Sequence, residues 1–422
     1  MSRTTASKPQ DLPAAIAMLD AVAFTTADAA IDRREDELIA FRRALHREPE
    51  PSGGEKQTTA VVADMLRKAG LQPQIMADGV GVICDVDVGG TSGQFIALRA
   101  ELDSVHVNDD KRLSYASTRK GQCHAVGHDA HSTIVLAVIT ELHRLRDSLR
   151  TIGLRHNFRA VFQPAEETAD GAKSMIEQGA TRHVAAMLAV HVEPFIETGV
   201  IGLRVGPLTS ACKSFEIHVR GRSGHSARPH QALDPIPAAV SLTDLFYQLG
   251  PRSMDSRYPL SLTVASINAG HAFNAIPDHA IVRGTLRTSR LEDLEAVEKR
   301  MWNVIRGVEL ATGCEISMTF PQYAPPTNND AGVIDIMSAA AKDLLGEGGV
   351  AWIDVPSLGG EDFAFFQEVV PGAIVRLGAA MPDPSQRKPL HSSLFDIDER
   401  AIAIGAKFLT RSALLAAATF DR

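Results

Sequence analysis

One short stretch of the chain reads Cys123-His124-Ala125-Val126-Gly127-His128-Asp129-Ala130-His131. Three histidines among small and polar residues, just ahead of a long apolar run, make poor core material and good metal or proton chemistry. Spacing alone does not say which histidine binds. A second segment, Phe162-Gln163-Pro164-Ala165-Glu166-Glu167, sets two adjacent carboxylates behind a strand-like run. Adjacent carboxylates repel, so a cation or solvent must face them. With a cation there, one carboxylate binds it while its neighbour takes a proton from metal-bound water. Standing alone, the pair would read as a solvated acidic turn. His191, at the end of a further strand-like run, and His391, in Leu390-His391-Ser392-Ser393, are weak signals singly. With His128 and Glu167 they form a nitrogen and oxygen ligand set suited to Zn²⁺, Mn²⁺ or Co²⁺.

Such residues need a frame. Apolar positions recur at helical spacing over 36–46 and 57–69, the second run closing at Gly70. Short apolar runs at 80–88, 95–98, 158–162 and 188–190 predict strands, and 130–145 predicts a long apolar helix. This alternation predicts an open α/β sheet with helices on both faces. Sheets of that kind gather ligands beyond the carboxyl ends of their strands. Leu98, Phe162 and Val190 are each expected to end a strand directly before a polar cluster.

The middle of the chain has a different rhythm. Strands are expected over 214–219, 262–267 and 281–286, with helices over 235–249 and 291–312. That β-α-β-β-α-β order predicts a ferredoxin-like α+β domain inserted into the larger one. Pro321, Pro325 and Pro326 punctuate its exit, and a helix over 399–417 ends the chain. The expected division is a catalytic domain from 1–206 and 322–422, with 207–321 inserted.

At 422 residues the chain exceeds one ordinary core, and 45% hydrophobic with 22% charged residues describes a globular protein. A net charge of −8 argues against nucleic acid or an anionic membrane as partner. Cys84, Cys123, Cys212 and Cys314 are scattered without CxxC spacing, as in a reduced, cytosolic protein. Residues 1–24 are apolar but interrupted by Asp20 and lack a cleavage pattern, which predicts a soluble leader and first helix. No uninterrupted apolar run approaches the ~20 residues that span a bilayer. The expected location is the cytoplasm.

Further motifs follow in order: Leu98-Arg99-Ala100-Glu101-Leu102-Asp103, Gly224-His225-Ser226-Ala227-Arg228-Pro229-His230, Asn274-Ala275-Ile276-Pro277, Gly284-Thr285-Leu286-Arg287 and Gly360-Glu361-Asp362-Phe363. With the segments above, the chain resembles, over nearly its whole length, the metal-dependent amidohydrolase and exopeptidase family of aminoacylase, carboxypeptidase G, hippurate hydrolase and the indole-acetyl-amino-acid hydrolases. The resemblance implies that His128, Glu167, His191 and His391 hold metal and that Glu166 is the general base. It implies that Asp103 orients a ligating histidine. It also implies that His225 meets the oxyanion in a partner subunit's site, and that Asn274 and Arg287 hold the substrate, Arg287 by pairing with a carboxylate. The inserted domain would be the dimerisation surface, giving a homo-oligomer built on at least a dimer.

Two departures from the family pattern bear on function. The closest branch carries a metal-binding cysteine at the position of Val126, which cannot coordinate anything; Cys123 lies three residues earlier, within reach only if the loop rearranges. Losing a thiolate weakens soft-metal affinity, so one labile ion is expected rather than a tight zinc pair. Val105-His106-Val107-Asn108-Asp109-Asp110 also replaces the family's Leu-Pro stretch, which is expected to reshape the pocket. The resemblance favours hydrolysis of an N-acyl amino acid. The altered site equally suits the family's nitroanthranilic acid aminohydrolase branch, which converts 5-nitroanthranilate to 5-nitrosalicylate and ammonia. A dipeptidase and a non-catalytic metal-binding scaffold are the other readings, and Glu166, useless without a reaction, argues against the scaffold.

Overall fold

The computed structural model describes residues 11–255 and 257–421, so the first ten residues of the expected leader lie outside the described residues. The chain forms two compact units. One comprises the chain up to Gly206, with Asn328–Asp354 and everything from Asp362 onward; the other comprises Pro207–Thr327 and Val355–Glu361.

The first unit is built on a mixed eight-stranded sheet. Its first six strands are β1 (Gln74–Ile75), β2 (Val82–Val86), β3 (Phe95–Glu101), β4 (Asn157–Gln163), β5 (Val184–Glu197) and β6 (Ile201–Leu203). Across the sheet the order is β1-β2-β4-β3-β5, then Gly372–Ala380, β6 and Val350–Trp352. β4, β3, β5 and Gly372–Ala380 run parallel, with every residue of β4 and nearly every residue of β3 buried, the continuous burial of central parallel strands. Helix His128–Ile152 is buried around its whole circumference from His128 to Leu142, and helix Arg400–Thr419 packs against it and against the sheet. The first helix extends past both ends read from periodicity and the second past its C-terminal end; β3, β4 and β5 are also longer than expected, while β2 is shorter than the run at 80–88.

One strand departs from expectation in a way that matters. The run at 188–190 is the middle of a fourteen-residue strand, so His191 sits inside β5 rather than at its end. Its pairing with β3 stops at Arg99↔Ala189, while pairing with Gly372–Ala380 carries on through Arg376↔His191 and Leu377↔Val192. His191 therefore stands beyond the last rung of the β3 ladder although its own strand continues.

The expected first helix is present and runs beyond residue 24. Leu12–Arg33 is helical throughout, with a π-helical turn at Asp20–Phe24, and its mean hydropathy of 1.5 makes it long and apolar enough to cross a membrane. Arg400–Thr419 passes the same test at 1.4, but 83% of its apolar window is buried inside the protein. The N-terminal helix packs Leu19, Ala23, Phe24, Ala27 and Ile31 into the core, which is reason enough for their apolar character.

The second unit is an antiparallel sheet in the order Leu260–Ala269, His279–Thr288, Ala211–Arg220, Glu315–Ala324. Helices Pro235–Ser253 and Leu291–Thr312 pack on it over a core of their own, including Phe215, Phe246, Leu294 and Met301. The β-α-β-β-α-β order gives the ferredoxin-like arrangement that the spacing predicts.

Candidate metal centre

Two loops after parallel strands converge in the first unit. β3 delivers Asp103, β4 delivers Glu166 and Glu167, and Gly127, in the left-handed region (φ 89°), starts the helix that presents His128. A side chain at 127 would place its Cβ 2.3 Å from Val192 Cγ2, so only glycine allows this approach. His128, Glu166 and Glu167 each offer a donor atom within 4.8 Å of the others. His128 Nε2 lies 3.9 Å from Glu166 Oε2, and His391 Nε2 lies 3.9 Å from Glu167 Oε2. The His191 ring centroid is 6.4 Å from that of His128.

The hydrogen bonds decide which nitrogens face inward. His128 Nδ1 donates to the Asp103 carbonyl at 3.0 Å and lies 3.2 Å from Asp103 Oδ1; His191 Nδ1 donates to the Val192 carbonyl at 2.8 Å. Both rings thus keep the Nε2 lone pair for a cation, which is the tautomer a metal site requires. Burial, the Arg376 charge and the neighbouring histidines push the His191 pKa well below its usual value, so the ring is neutral. Burial also opposes charge on His128, but the Asp103 contact outweighs it and raises the pKa. A pocket of imidazoles and carboxylates fits a divalent cation, and among the described residues no thiolate stands with His128, Glu166 and Glu167. Cys123 is fully buried elsewhere, beside His46, Asp109 and Lys111, so the loop does not bring it to His128.

Asp103 ties these elements together. Its Oδ2 accepts from Ser52 Oγ at 2.7 Å and from the Glu167 amide at 3.0 Å. Burial alone would raise its pKa, but His128 and these donors bring it down to about 2, so it stays ionised. Two backbone strains sit at the site. Ala165, just before the carboxylate pair, has φ 52°, and His391 has φ 64°. The buried Glu55 pins the first by accepting from the Ala165 amide at 2.8 Å. Burial raises the Glu55 pKa to about 7. The second is tied down by the His391 amide, which donates to Ala125 O at 2.8 Å.

Ser52 and Glu55 carried no signal in the sequence beyond a Gly-rich turn before a helix. Asp362, visible only as part of a motif, directs its amide at Glu166 Oε1 at 3.4 Å. Its carboxylate is held by Arg99, Gln163 and the Ala172 amide. The stretch 105–110 makes these contacts. Asp109 is buried in an ion cluster around His46, His106 is exposed with Nδ1 3.2 Å from Gln122 Nε2, and the Asp110 amide donates to Ser393 O in the His391 loop.

The remaining candidates belong to the second unit. His225 and Asn274 are exposed neighbours on a small two-stranded ladder, Gly224–His225 against Ala275–Ile276, where Ser226 N donates to Asn274 O. His225 Nδ1 accepts from the Ala227 amide at 3.1 Å, so the neutral ring carries its proton on the outward Nε2. Arg287, opposite Cys212 in the sheet, donates from Nη1 to Leu358 O at 2.9 Å.

Known proteins share both the sequence and this architecture. The model of peptidase family M20/M25/M40 matches residues 97–415. The chain is 34% identical over 380 residues to N-acetyl-L-cysteine deacetylase of Bacillus subtilis, covering 90% of this chain and 88% of that protein. It is 31% identical over 376 residues to IAA-amino acid hydrolase ILR1-like 4 of Arabidopsis thaliana, covering 88% and 83%. A crystal structure of the B. subtilis YXEP protein, described as a dinuclear metal-binding peptidase of the M20 family, superposes with a TM-score of 0.75. That match has 29% identity and covers 91% of this chain and 99% of that one. The chain belongs to peptidase family M20/M25/M40, and it is a metal-dependent hydrolase of carbon–nitrogen bonds.

Proposed function

We propose that the protein hydrolyses the amide bond of an N-acyl amino acid, with His128, Glu167, His191 and His391 holding a divalent cation and Glu166 as general base. The observation that carries this reading is the position of Glu166, whose Oε2 lies 3.9 Å from His128 Nε2 and whose Oε1 receives the Asp362 amide. That bond directs one carboxylate oxygen away and leaves the other facing the donor set, where a base must stand. When bound, the cation polarises the scissile carbonyl and makes a water acidic enough to be deprotonated near neutral pH. Glu166 takes that proton and returns it to the leaving amine. Asp103 stays ionised and holds the His128 ring. His225, with its outward Nε2 proton, supplies an oxyanion donor from a partner subunit, and Asn274 and Arg287 hold the substrate, Arg287 through the free carboxylate. The relatives named for N-acetylcysteine and for indole-acetyl-amino-acid substrates support an acylated amino acid.

Val126, 2% exposed, supports a single labile ion of Mn²⁺, Zn²⁺ or Co²⁺. Helix Pro235–Ser253 and the edge strand Leu260–Ala269 expose Val240, Tyr247 and Ile267, which suits dimerisation through the inserted domain of a cytoplasmic enzyme. Val126 also favours a second reading, hydrolytic deamination of an aromatic amine such as 5-nitroanthranilate.

Product analysis separates the two. Incubating the Mn²⁺-, Co²⁺- and Zn²⁺-loaded protein with acetylated and aryl-acylated amino acids should release free amino acid. Ammonia from an aminobenzoate without amide cleavage would replace that reading with deamination. Cleavage of free dipeptides alone would make the protein a dipeptidase, and turnover of nothing in these panels would leave the scaffold.

A further inference from the structure

Val192 is gripped at both of its backbone polar atoms. Its carbonyl accepts from His191 Nδ1 at 2.8 Å. The Val192 amide, in turn, donates to His131 Nε2 at 2.9 Å. β3 has made its last pair with β5 three residues earlier, at Ala189, so on the β3 side the amide meets no paired strand. The His131 side chain stands where the next carbonyl of a parallel strand would be. Its other nitrogen, Nδ1, faces Glu101 Oε2 at 2.7 Å. Glu101 ends β3, and its second oxygen pairs with Arg99. His131, Glu101 and Arg99 are all wholly buried.

Direction in this chain is fixed by chemistry. Glu101 can only accept, so His131 carries its proton on Nδ1; its Nε2 is then the acceptor that Val192 requires. Glu101, His128 and His131 are close enough to suggest a second cation site. Both nitrogens of His131 are already committed, however, and no lone pair remains for an ion. The packing leaves little freedom either. The His131 and His191 rings lie 4.8 Å apart between centroids, and Gly127 makes room for Val192 where any side chain would collide.

We propose that His131 is a positioning residue for the metal centre. By holding the Val192 amide it anchors the residue whose carbonyl receives His191 Nδ1–H, and so aims His191 Nε2 at the cation; Glu101 fixes the tautomer that makes this possible. The proposal rests on His191 being a ligand, the reading given above. Such outer partners of a ligating histidine commonly alter metal affinity by ~10–100-fold when removed.

The test reads cobalt rather than turnover. Full-length protein stripped of metal is titrated with Co²⁺, following heat and the visible d–d bands. His131→Phe fills the space but offers no acceptor, and a Kd raised ~10–100-fold with altered d–d bands is expected for the folded variant. Glu101→Gln keeps an acceptor for His131 but loosens its tautomer, and a Kd raised ~3–10-fold is expected from a weaker charge-assisted bond. A purely structural role would lower the melting temperature and leave Co²⁺ affinity and spectrum at wild-type values, which overturns the proposal. If His131→Phe does not fold, Glu101→Gln decides alone, and wild-type affinity there overturns it equally. Wild-type protein that takes up no cobalt overturns the metal-centre reading and the clamp together; tight uptake matched by both variants overturns only the clamp.

Discussion

Segment 123–131 feeds two clusters made of the same residue types. His128 offers a ligand atom within 4.8 Å of Glu166 and Glu167 in the candidate metal centre, while His131 stands behind His191 with its nitrogens on Glu101 and the Val192 amide. Asp129, between them in sequence, belongs to a buried ion cage. There Arg42 Nε and His46 Nδ1 both lie 2.7 Å from Asp129 Oδ2, Arg42 also reaches Asp396 and Glu399, and His46 Nε2 lies 3.2 Å from Asp109. Lys111 caps Asp109 at 2.9 Å and Tyr115 donates to Asp396 at 2.6 Å. Burial and the nearby Arg42 oppose charge on His46, but Asp129 and Asp109 outweigh them and raise its pKa to about 10. His46, Asp109 and Cys123 are spaced as metal ligands could be, yet a protonated imidazole and a lysine already fill that role. Whether a histidine–carboxylate cluster takes a cation is decided by the cationic side chains beside it, not by the histidines themselves.

That contrast can be broken at several points. The largest effect is expected from Glu166→Gln, which should cut turnover by ~10²–10⁴-fold, as loss of a general base does, while metal content and melting temperature stay at wild type. Near-normal turnover would remove Glu166 from its role. Asp129→Asn should strike the other cluster, leaving Arg42 and His46 buried and undercompensated. A loss of about 3–5 kcal/mol in chemical denaturation is expected, with Co²⁺ affinity of the folded protein kept within ~3-fold. Metal loss without destabilisation would show that the clusters are not separable.

Val126→Cys adds a thiolate on the metal side. Zn²⁺ affinity should rise by ~10-fold or more, and Co²⁺ should gain a sulfur charge-transfer band. Absence of that band would mean that position 126 does not reach the ion. The smallest effect is expected from pH. His46 titrates near 10 when folded and ~6.5 when unfolded, so the folded state holds the extra proton between them. The stability it contributes is complete below ~6.5 and is lost as pH rises through about 10. The urea midpoint should fall across that window, and His46→Gln should flatten the fall.

Much of the frame was legible because periodicity reports burial. Strands, helices and the inserted β-α-β-β-α-β unit follow from apolar spacing, with ends misplaced where buried polar residues such as Glu101 and Gln163 continue a strand. His191 was misplaced for a related reason, since polarity after Val190 suggested an end that pairing with a distant strand postpones. The chemical residues His128, Glu166 and Glu167 stood out by density in the sequence. Ser52, Glu55 and the Glu101–His131 pair did not, because a carboxylate's partner is set by folding and not by spacing. The fate of Cys123 was equally hidden, for only the loop's path puts its thiol beside Lys111.

The strand Gly372–Ala380 lies between β5 and β6, although both precede it by more than a hundred residues in the chain. During synthesis, then, an interior strand of the sheet is made last. His128, Glu167 and His191 emerge with a gap beside β5, and the loop carrying His391 follows only after that gap can close. A nascent or truncated chain would expose two unpaired strand edges and lack part of the proposed ligand set.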